Sequence, residues 1–263
     1  NKPVLGGLFD PRMGVLDAGL ICPTDGLDYM ETPGYFGHIE IARPVFYIQY
    51  INTLIKILRV ICIKCGKLKL SKKKYDFLLK KLPKERWDFI FSHANKIKRC
   101  GDETEDGCGC KQPKKIYKQD LANIYAEWEN ASGITDNEGV VKEKPTIKLS
   151  AETVLRILKR MSNEDIEFMG FSPLWAKPEW FICQVLAVPP PAVRPSVKHD
   201  SQQRSEDDIT HKLVDIVKTN ITLAKKLEKK ETSDDTIEGF IDLLQYHVAT
   251  LVDNQIHNNL SYN

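Results

Sequence analysis

The sequence "CIKCGKL" at residues 62–68 is the stretch on which the fold of this chain depends. Two cysteines separated by two residues and followed by glycine let two thiolates bind one ion, with each sulfur about 2.3 Å from a zinc. A single Cys-x-x-Cys pair is only moderately specific, because a structural zinc site needs four ligands. The other ligands must therefore come from elsewhere in the 263 residues.

Three more cysteines follow after a gap long enough for a helix, at Cys100, Cys108 and Cys110. The acidic, glycine-rich loop between the first two can bring both thiols to the first pair, whereas a Cys-x-Cys pair has a poorer bite. We therefore predict one structural zinc per chain, bound by Cys62, Cys65, Cys100 and Cys108, with Cys110 as the alternative to Cys108. Four thiolates leave no open position for a water, so the site is not predicted to be catalytic.

The composition is that of an ordinary globular protein. Seven cysteines cannot complete a disulfide framework, and their clustering favours metal binding in a reducing compartment. The net charge of +2 is nearly neutral, so any nucleic-acid binding has to come from local patches. No apolar run approaches the roughly 18–20 residues that span a bilayer, so we expect a piece of a soluble protein with no membrane partner.

Hydrophobic periodicity predicts an α+β fold of amphipathic helices and short β-strands. The predicted helices cover residues 45–60, 73–97 with an interruption near Pro83, 151–161 after an N-cap at Ser150, a short helix from Asn163, 207–229 and 235–255. The predicted strands lie at 115–128, 145–149 and 180–188, and the proline-rich segment 188–196 is predicted to be extended. Within the third strand, Cys183 is interpreted as a small core residue.

The last two predicted helices carry apolar residues at alternating spacings of three and four, and a short polar segment connects them. This pattern predicts a C-terminal antiparallel helical hairpin with a coiled-coil seam. Asn220 falls at a seam position, where it either fixes the register of the two helices or lies exposed at the edge of the seam.

A second stretch, "TPGYFGHIE" at residues 32–40, has the turn of a metal-binding loop without its ligands. With Cys22 upstream, the plausible ligand positions hold a thiol, a carboxylate, a hydroxyl and a phenol, which do not form a competitive zinc site. These positions are Cys22, Asp25, Thr32 and Tyr35. His38 is interpreted as a turn or core residue, so we predict no metal here.

Seven motifs occur in an order that resembles a known family. They are "GGLFDPRMG" (6–14), "TPGYFGHIEIARPVF" (32–46), "CIKCGKL" (62–68), "GCGCKQP" (107–113), "PEWFICQVLAVPPPAVRPS" (178–196), "EDDITHKLVDIVKTN" (206–220) and "LLQYHVATLVDN" (243–254). Together they resemble the N-terminal clamp region of the largest subunit of multisubunit DNA-directed RNA polymerases, of the eukaryotic polymerase II and large-DNA-virus type. The resemblance covers essentially the whole chain.

The resemblance implies that the opening region corresponds to a zinc knuckle of the form CxxC...CPGHFGH. Its ligand places fall on the four positions given above, of which only Cys22 is kept. For the second knuckle the resemblance implies the same four cysteines that their spacing indicates. The first knuckle therefore looks like one that kept its turn and lost its metal, and we expect packing by Tyr29, Tyr35 and Phe36 to hold it.

The resemblance also implies a division of the chain by role. It implies a zinc-stabilised clamp module with a head at 1–150, a core at 151–193, a lid-like loop at 194–208, a coiled-coil hairpin at 209–255 and a truncated tail at 256–263. The expected function is to close over DNA and the RNA–DNA hybrid and to dock initiation and elongation factors. The expected partners are the other polymerase subunits, especially the second-largest.

The chain lacks the family's catalytic magnesium loop, of the type NADFDGD. We therefore expect no catalytic residues, and the nucleotidyltransferase chemistry and its magnesium belong to the missing part of the subunit. The expected location is the nucleus for a cellular protein, and the virion or a cytoplasmic virus factory for a viral one. The alternative function is a free-standing zinc-binding interaction adaptor.

Two groups of surface residues are candidates for binding. We predict that Arg194, Lys198 and Arg204 lie on an exposed loop and meet nucleic-acid phosphates, the alternative being solvated surface charge. At the hairpin tip, the predicted partner-binding residues are Lys229, Lys230 and Glu231. The lysines at 72–74 and 80–81 are interpreted as plain surface.

Overall fold

A computed structural model describes residues 3–129, 145–199, 203–229 and 232–255. The α-helices are α1 (Ile51–Val60), α2 (Pro83–Ala94), α3 (Ala151–Leu158), α4 (Asn163–Phe168), α5 (Asp208–Glu228) and α6 (Asp234–Val252). The strands are β1 (Gly37–Phe46), β2 (Lys115–Gln119), β3 (Asn123–Glu127), β4 (Thr146–Leu149), β5 (Ile182–Val188), β6 (Val197–His199) and β7 (Gln203–Ser205). The predicted mixture of helix and sheet is confirmed.

The chain divides into two compact units, one formed by residues 1–45 with 183–263 and the other by residues 46–182. We call residues 1–45 with 183–263 the outer unit, because in sequence they flank the other unit. Residues 46–182 are called the central unit. The predicted division by role, with a head at 1–150 and a hairpin at 209–255, remains a prediction.

The central unit is built around α1. Apolar residues at spacings of three and four give this helix a buried face, on which Leu54, Ile57 and Leu58 are almost completely shielded from solvent. The helix packs against α2 and against β2 of the antiparallel sheet β2-β3-β4. The α3 helix begins as predicted, because the Ser150 hydroxyl accepts a hydrogen bond from the Thr153 N–H at 3.2 Å.

The outer unit contains the strand pair β1-β5, the short hairpin β6-β7 and the two long helices α5 and α6. The helices α5 and α6 pack against each other. Their buried apolar residues are Leu213, Ile216, Leu223, Leu244, Val248 and Ala249. Cys183 is buried in β5, as predicted.

Asn220 does neither of the things that its seam position suggested. Its side-chain oxygen accepts from the Ala42 N–H and its amide donates to the Glu40 carbonyl, both at 2.8 Å. These two bonds pair the amide side chain with the backbone of β1. Asn220 therefore joins α5 to β1 within the outer unit.

Several predicted boundaries are wrong. The helix expected from residue 45 begins at Ile51, because β1 continues to Phe46. The helix expected over 73–97 is a 3-10 helix, Asp76–Lys80, followed by α2 with Pro83 at its first turn. The segment expected to be extended contains a 3-10 helix at Pro191–Val193, where proline is also tolerated in the first turn.

Within the described ranges, none of the helices has both the length and the apolar character that a bilayer crossing requires.

Candidate metal centre

The first half of the candidate metal centre is a tight turn at residues 62–67. The Cys62 N–H donates to the Lys67 carbonyl and the Gly66 N–H donates to the Cys62 carbonyl, both at 2.8 Å. Gly66 has a φ of +78°, and a Cβ there would lie 2.8 Å from the Cβ of Arg160. Glycine is therefore required at this position for two reasons: the turn needs a positive φ, and the end of α3 with Arg160 leaves no room for a side chain.

The second half is the loop at residues 100–110. The Cys100 N–H donates to the Cys110 carbonyl at 3.0 Å, and the Gly109 N–H donates back to the Cys100 carbonyl at 2.9 Å. At Gly107, an added Cβ would lie only 2.3 Å from the Gly101 backbone, so no side chain fits where the loop closes. The loop folds back on itself and presents two thiols to the first turn.

The four predicted cysteines come together. The Cys62 and Cys108 sulfurs are 3.6 Å apart, the Cys65 and Cys100 sulfurs are 3.7 Å apart, and all four lie within 4.8 Å of one another. Four thiolates about 2.3 Å from a central zinc would be about 3.8 Å apart, so the arrangement fits a tetrahedral ion. Cys110 lies outside this cluster and its thiol is directed to the Lys111 carbonyl at 3.5 Å.

Sequence reasoning missed the residue that supports the cluster from behind, Gln112. Its amide nitrogen donates to the Cys62 sulfur at 3.2 Å and to the Cys110 carbonyl at 2.9 Å, and its amide oxygen accepts from the Ile63 N–H at 3.2 Å. Gln112 is only 4% exposed. Such contacts orient the ligands of a metal, and nothing in the type or spacing of a glutamine could have predicted them.

Three of the four thiols have shifted pKa values, and the shifts differ in direction. Burial of Cys62 opposes ionisation, but hydrogen bonds from the Cys65 and Lys64 N–H groups outweigh it and lower the pKa of Cys62 to about 7. Burial raises the pKa of Cys65 and of Cys100. A cluster of this kind holds several thiolates only when a cation balances them, and a divalent metal ion fits both the charge and the space.

A buried lysine, Lys69, is attracted electrostatically by the sulfurs of the cluster. Lys69 is 3% exposed, and its ammonium donates to the Ile97 carbonyl at 3.2 Å. Burial lowers the pKa of Lys69 to about 8, against the attraction of the Cys62 and Cys100 sulfurs. The Lys69 ammonium is therefore a cation of the chain itself that partly balances the negative charge of the cluster.

The opening region contains the same turn with only the first of the two thiols, Cys22. The Cys22 N–H donates to the Leu27 carbonyl at 2.9 Å and the Gly26 N–H donates to the Cys22 carbonyl at 2.8 Å, which reproduces the bonds of residues 62–67. Asp25 stands where the second cysteine stands in the intact knuckle. The backbone of the first knuckle is therefore kept.

Hydrogen bonds to Asp25 connect three of the four positions that the resemblance aligns with zinc ligands of the family: Asp25, Thr32 and Tyr35. One carboxylate oxygen accepts from the Thr32 hydroxyl at 2.8 Å and from the Tyr35 phenol at 2.9 Å, and the other accepts from the Leu27 N–H at 2.9 Å. The Leu27 N–H bond and the two hydroxyl bonds lower the pKa of Asp25. A carboxylate with hydroxyl donors thus joins the two arms of the loop.

The expectation that aromatic packing holds this loop is wrong for two of its three residues. Phe36 is 73% exposed and Tyr29 is 39% exposed. Tyr35 contributes through its hydroxyl group and not through ring packing alone. Apolar residue type suggested packing, whereas the hydroxyl contacts depend on the folded geometry.

Restoring the lost ligands should restore the metal. We expect the triple variant Asp25→Cys, Thr32→Cys, Tyr35→His to bind one more zinc than the parent chain, because the turn already has the geometry of the intact knuckle. Metal analysis after gel filtration measures this. The single variant Asp25→Cys should gain none, and a triple variant with an unchanged zinc content would show that the loop is not a former knuckle.

The predicted nucleic-acid residues are placed differently from one another. Arg194 is wholly buried, with its Nε donating to the Pro189 carbonyl at 3.0 Å, one Nη donating to the Thr210 hydroxyl at 3.4 Å and the other to the Leu8 carbonyl. The expectation that Arg194 is exposed is therefore wrong. A phosphate contact by Arg194 remains a prediction, and it would require the guanidinium to leave these partners.

Lys198 and Arg204 face each other in the register of β6 and β7. Their side chains lie outside the described part of the structure, so their contact with nucleic acid also remains a prediction. At the other candidate surface, Lys229 is exposed at the end of α5, while Lys230 and Glu231 lie outside the described residues.

The match to a protein family agrees with the metal centre and the motifs. The family model described as RNA polymerase Rpb1, domain 1, matches residues 1–262. The match covers nearly every residue, including both knuckles and the two long C-terminal helices. The chain therefore belongs to this family, which is the N-terminal domain of the largest RNA polymerase subunit.

Proposed function

We propose that this chain is the clamp portion of the largest subunit of a DNA-directed RNA polymerase. In this role it closes over DNA and the RNA–DNA hybrid and takes no part in the chemistry of nucleotide addition. The observation that carries the proposal is the family match over residues 1–262, which contains a four-thiol cluster of the expected composition. The working location would be the nucleus of a cell, or the virion or virus factory of a large DNA virus.

In this proposal the zinc is structural. Cys62 and Cys65 on one turn and Cys100 and Cys108 on another would hold it, and the bound ion would cross-link the two turns. Gln112 fixes the Cys62 sulfur from outside the cluster, and Lys67 fixes the acidic loop by an ion pair with Asp106 at 2.8 Å. The bound ion would thus supply rigidity to this part of the central unit and no reactive water.

The two long helices are proposed to form an antiparallel coiled-coil hairpin for docking factors. The α5 helix has 21 residues and so is about 31 Å long, whereas five residues between Glu228 and Asp234 span less than about 18 Å. Helices joined in this way and packed together have to run in opposite directions. Their tip carries charges and little apolar surface, which suits recognition of a partner more than packing.

A charge-reversal experiment tests the docking role. Reversing Lys229 and Lys230 to glutamate should change the free energy of unfolding by about 0.5 kcal/mol or less, because Lys229 is exposed and makes no core contact. It should weaken the binding of an initiation or elongation factor to the assembled polymerase, measured by pull-down. The double reversal of the exposed Lys115 and Lys118 on β2 is the charge-matched control and should leave binding unchanged.

Two outcomes, one from this pull-down and one from a separate co-expression experiment, would count against the proposal. Undiminished binding of every clamp-docking factor would remove the tip as the contact and leave the hairpin as bracing. A tagged chain that recovers no second-largest subunit when the two are co-expressed would contradict the polymerase role and favour the free-standing adaptor.

A further inference from the structure

Four aromatic side chains form a partly exposed cluster in the central unit, which we call the aromatic face: Tyr75, Phe77, Phe89 and His93. The Phe89 and His93 rings are stacked with centroids 4.0 Å apart, and the Phe77 and Phe89 rings meet edge to face at 5.8 Å. The Tyr75 ring lies 5.6 Å from Phe89 and 6.3 Å from Phe77. Phe77 is 50% exposed and His93 is exposed, whereas Tyr75 and Phe89 are partly buried and pack against the core.

Local structure explains why these rings reach the surface. The 3-10 helix Asp76–Lys80 buries only Leu78 and turns Phe77 outward. Residues three apart share a face of such a helix, so Lys80 projects on the same side as Phe77. On α2, Phe89 and His93 are four apart and therefore adjacent. The sequence thus places rings from two elements side by side and a cation next to them.

The segment of the chain that carries the aromatic face is strongly positive. Residues 72–99 contain ten Lys and Arg against three Asp and Glu, a net charge of +7, whereas the rest of the chain is net negative at −5. Lys74 lies over the Tyr75 ring with its ammonium 5.0 Å from the centroid. Among the described residues, Lys73 and Lys80 are exposed and form no ion pair. Lys73 also lines a surface pocket with Glu103, Glu105 and Glu164, so Lys80 is the cation with the less acidic surroundings.

We infer that the aromatic face and its lysines bind single-stranded nucleic acid, with bases stacked on the rings and phosphates beside Lys73 and Lys80. Single-stranded nucleic acid binds to surfaces where exposed aromatic rings lie among cations. Each base offers a face for stacking on a ring, and each nucleotide carries a negative phosphate. A duplex keeps its bases stacked internally, and an acidic peptide would use the charges but not the rings. Lys72 differs, because its ammonium pairs with Asp165 at 2.7 Å.

The inference deepens the proposed function and rests on it, since a clamp works beside separated strands. It departs from the interpretation of the lysines at 72–74 and 80–81 as plain surface. The aromatic face lies wholly within residues 46–182, whereas Arg194, Lys198 and Arg204 belong to the outer unit.

Fluorescence anisotropy with the full 263-residue chain tests the inference, using labelled 20-nucleotide oligothymidine and oligouridine at several salt concentrations. Phe77→Leu keeps apolar bulk but removes the ring, and we expect it to weaken binding about tenfold. The control Trp175→Leu removes a ring that is 84% exposed elsewhere and should have no effect. Lys73→Ala with Lys80→Ala should reduce the salt slope of log K by about 1.4, whereas Lys115→Ala with Lys118→Ala should not.

Three outcomes would overturn the inference: no binding of single strands at 50 mM salt, equal loss in the Phe77 and Trp175 variants, or competition by polyglutamate as strong as by oligouridine. Binding of a duplex of the same sequence as tightly as the single strand would also overturn the inference. Recovery of the second-largest subunit by the Phe77→Leu chain separates the two proposals, because it is expected whenever the clamp role holds.

Discussion

Replacing Cys62 with serine should remove the zinc and unfold the central unit. The parent chain is expected to bind about one zinc, because only one of its two knuckles has four thiols within 4.8 Å of one another. A structural zinc contributes about 10–16 kcal/mol of binding free energy, which matches or exceeds the whole stability of a typical domain. Metal analysis should therefore show most of the zinc lost, and circular dichroism should show loss of ordered structure.

Two other cysteine variants serve as controls for this prediction. Cys22→Ser changes a thiol in the knuckle that has Asp25 in place of a second cysteine, and Cys110→Ser changes the thiol that lies outside the cluster. Both should retain about one zinc. Two zinc equivalents in the parent chain, or a Cys62→Ser chain that keeps its zinc, would contradict the assignment of the metal centre.

The metal centre shows which features a sequence can predict. The four thiols were predictable because ligand type and spacing are strict for tetrahedral zinc, and the glycine-containing loop of residues 101–107 allows the second pair to reach the first. The preference for Cys108 over Cys110 followed from bite geometry and agrees with the cluster. The supporting contact of Gln112 was not predictable, because it depends on where the two loops meet in space.

The elements that sequence analysis misplaced share a physical cause. Asn220 lies in the hydrophobic pattern of α5, yet its partners are backbone groups of β1, about 180 residues earlier in the chain. Helix periodicity at residues 45–46 was overridden by strand pairing, since β1 pairs with β5 and ends at Phe46, whereas residues 48–50 form a 3-10 helix that leads into α1. Long-range contacts outweigh local preference at both places, and a single sequence carries no direct signal of them.

Arg194 is a further residue whose long-range contacts the sequence does not reveal. Its burial leads to a second prediction. Its side chain is completely buried, donates to the Pro189 and Leu8 carbonyls and lies 5.0 Å from the Phe9 ring. Arg194→Leu should lower the free energy of unfolding of the outer unit by about 3–5 kcal/mol, because each buried acceptor left without a donor costs about 1–3 kcal/mol. Urea unfolding monitored by fluorescence measures the change.

Two further variants make this prediction specific. Arg194→Lys keeps the charge but cannot reproduce the planar fork of donors, so its stability should lie between those of the parent and Arg194→Leu. Arg156→Leu replaces an exposed arginine on α3 and should change stability by about 0.5 kcal/mol or less.

The result also decides between two roles for Arg194. A residue that holds the N-terminal segment to the start of α5 should lose stability on substitution even without nucleic acid present. A residue that serves phosphates alone should leave unfolding unchanged and weaken only binding, and that outcome would contradict the buried network. Because the guanidinium is enclosed by Leu8, Pro189 and Thr210, we expect the loss of stability to be the dominant effect.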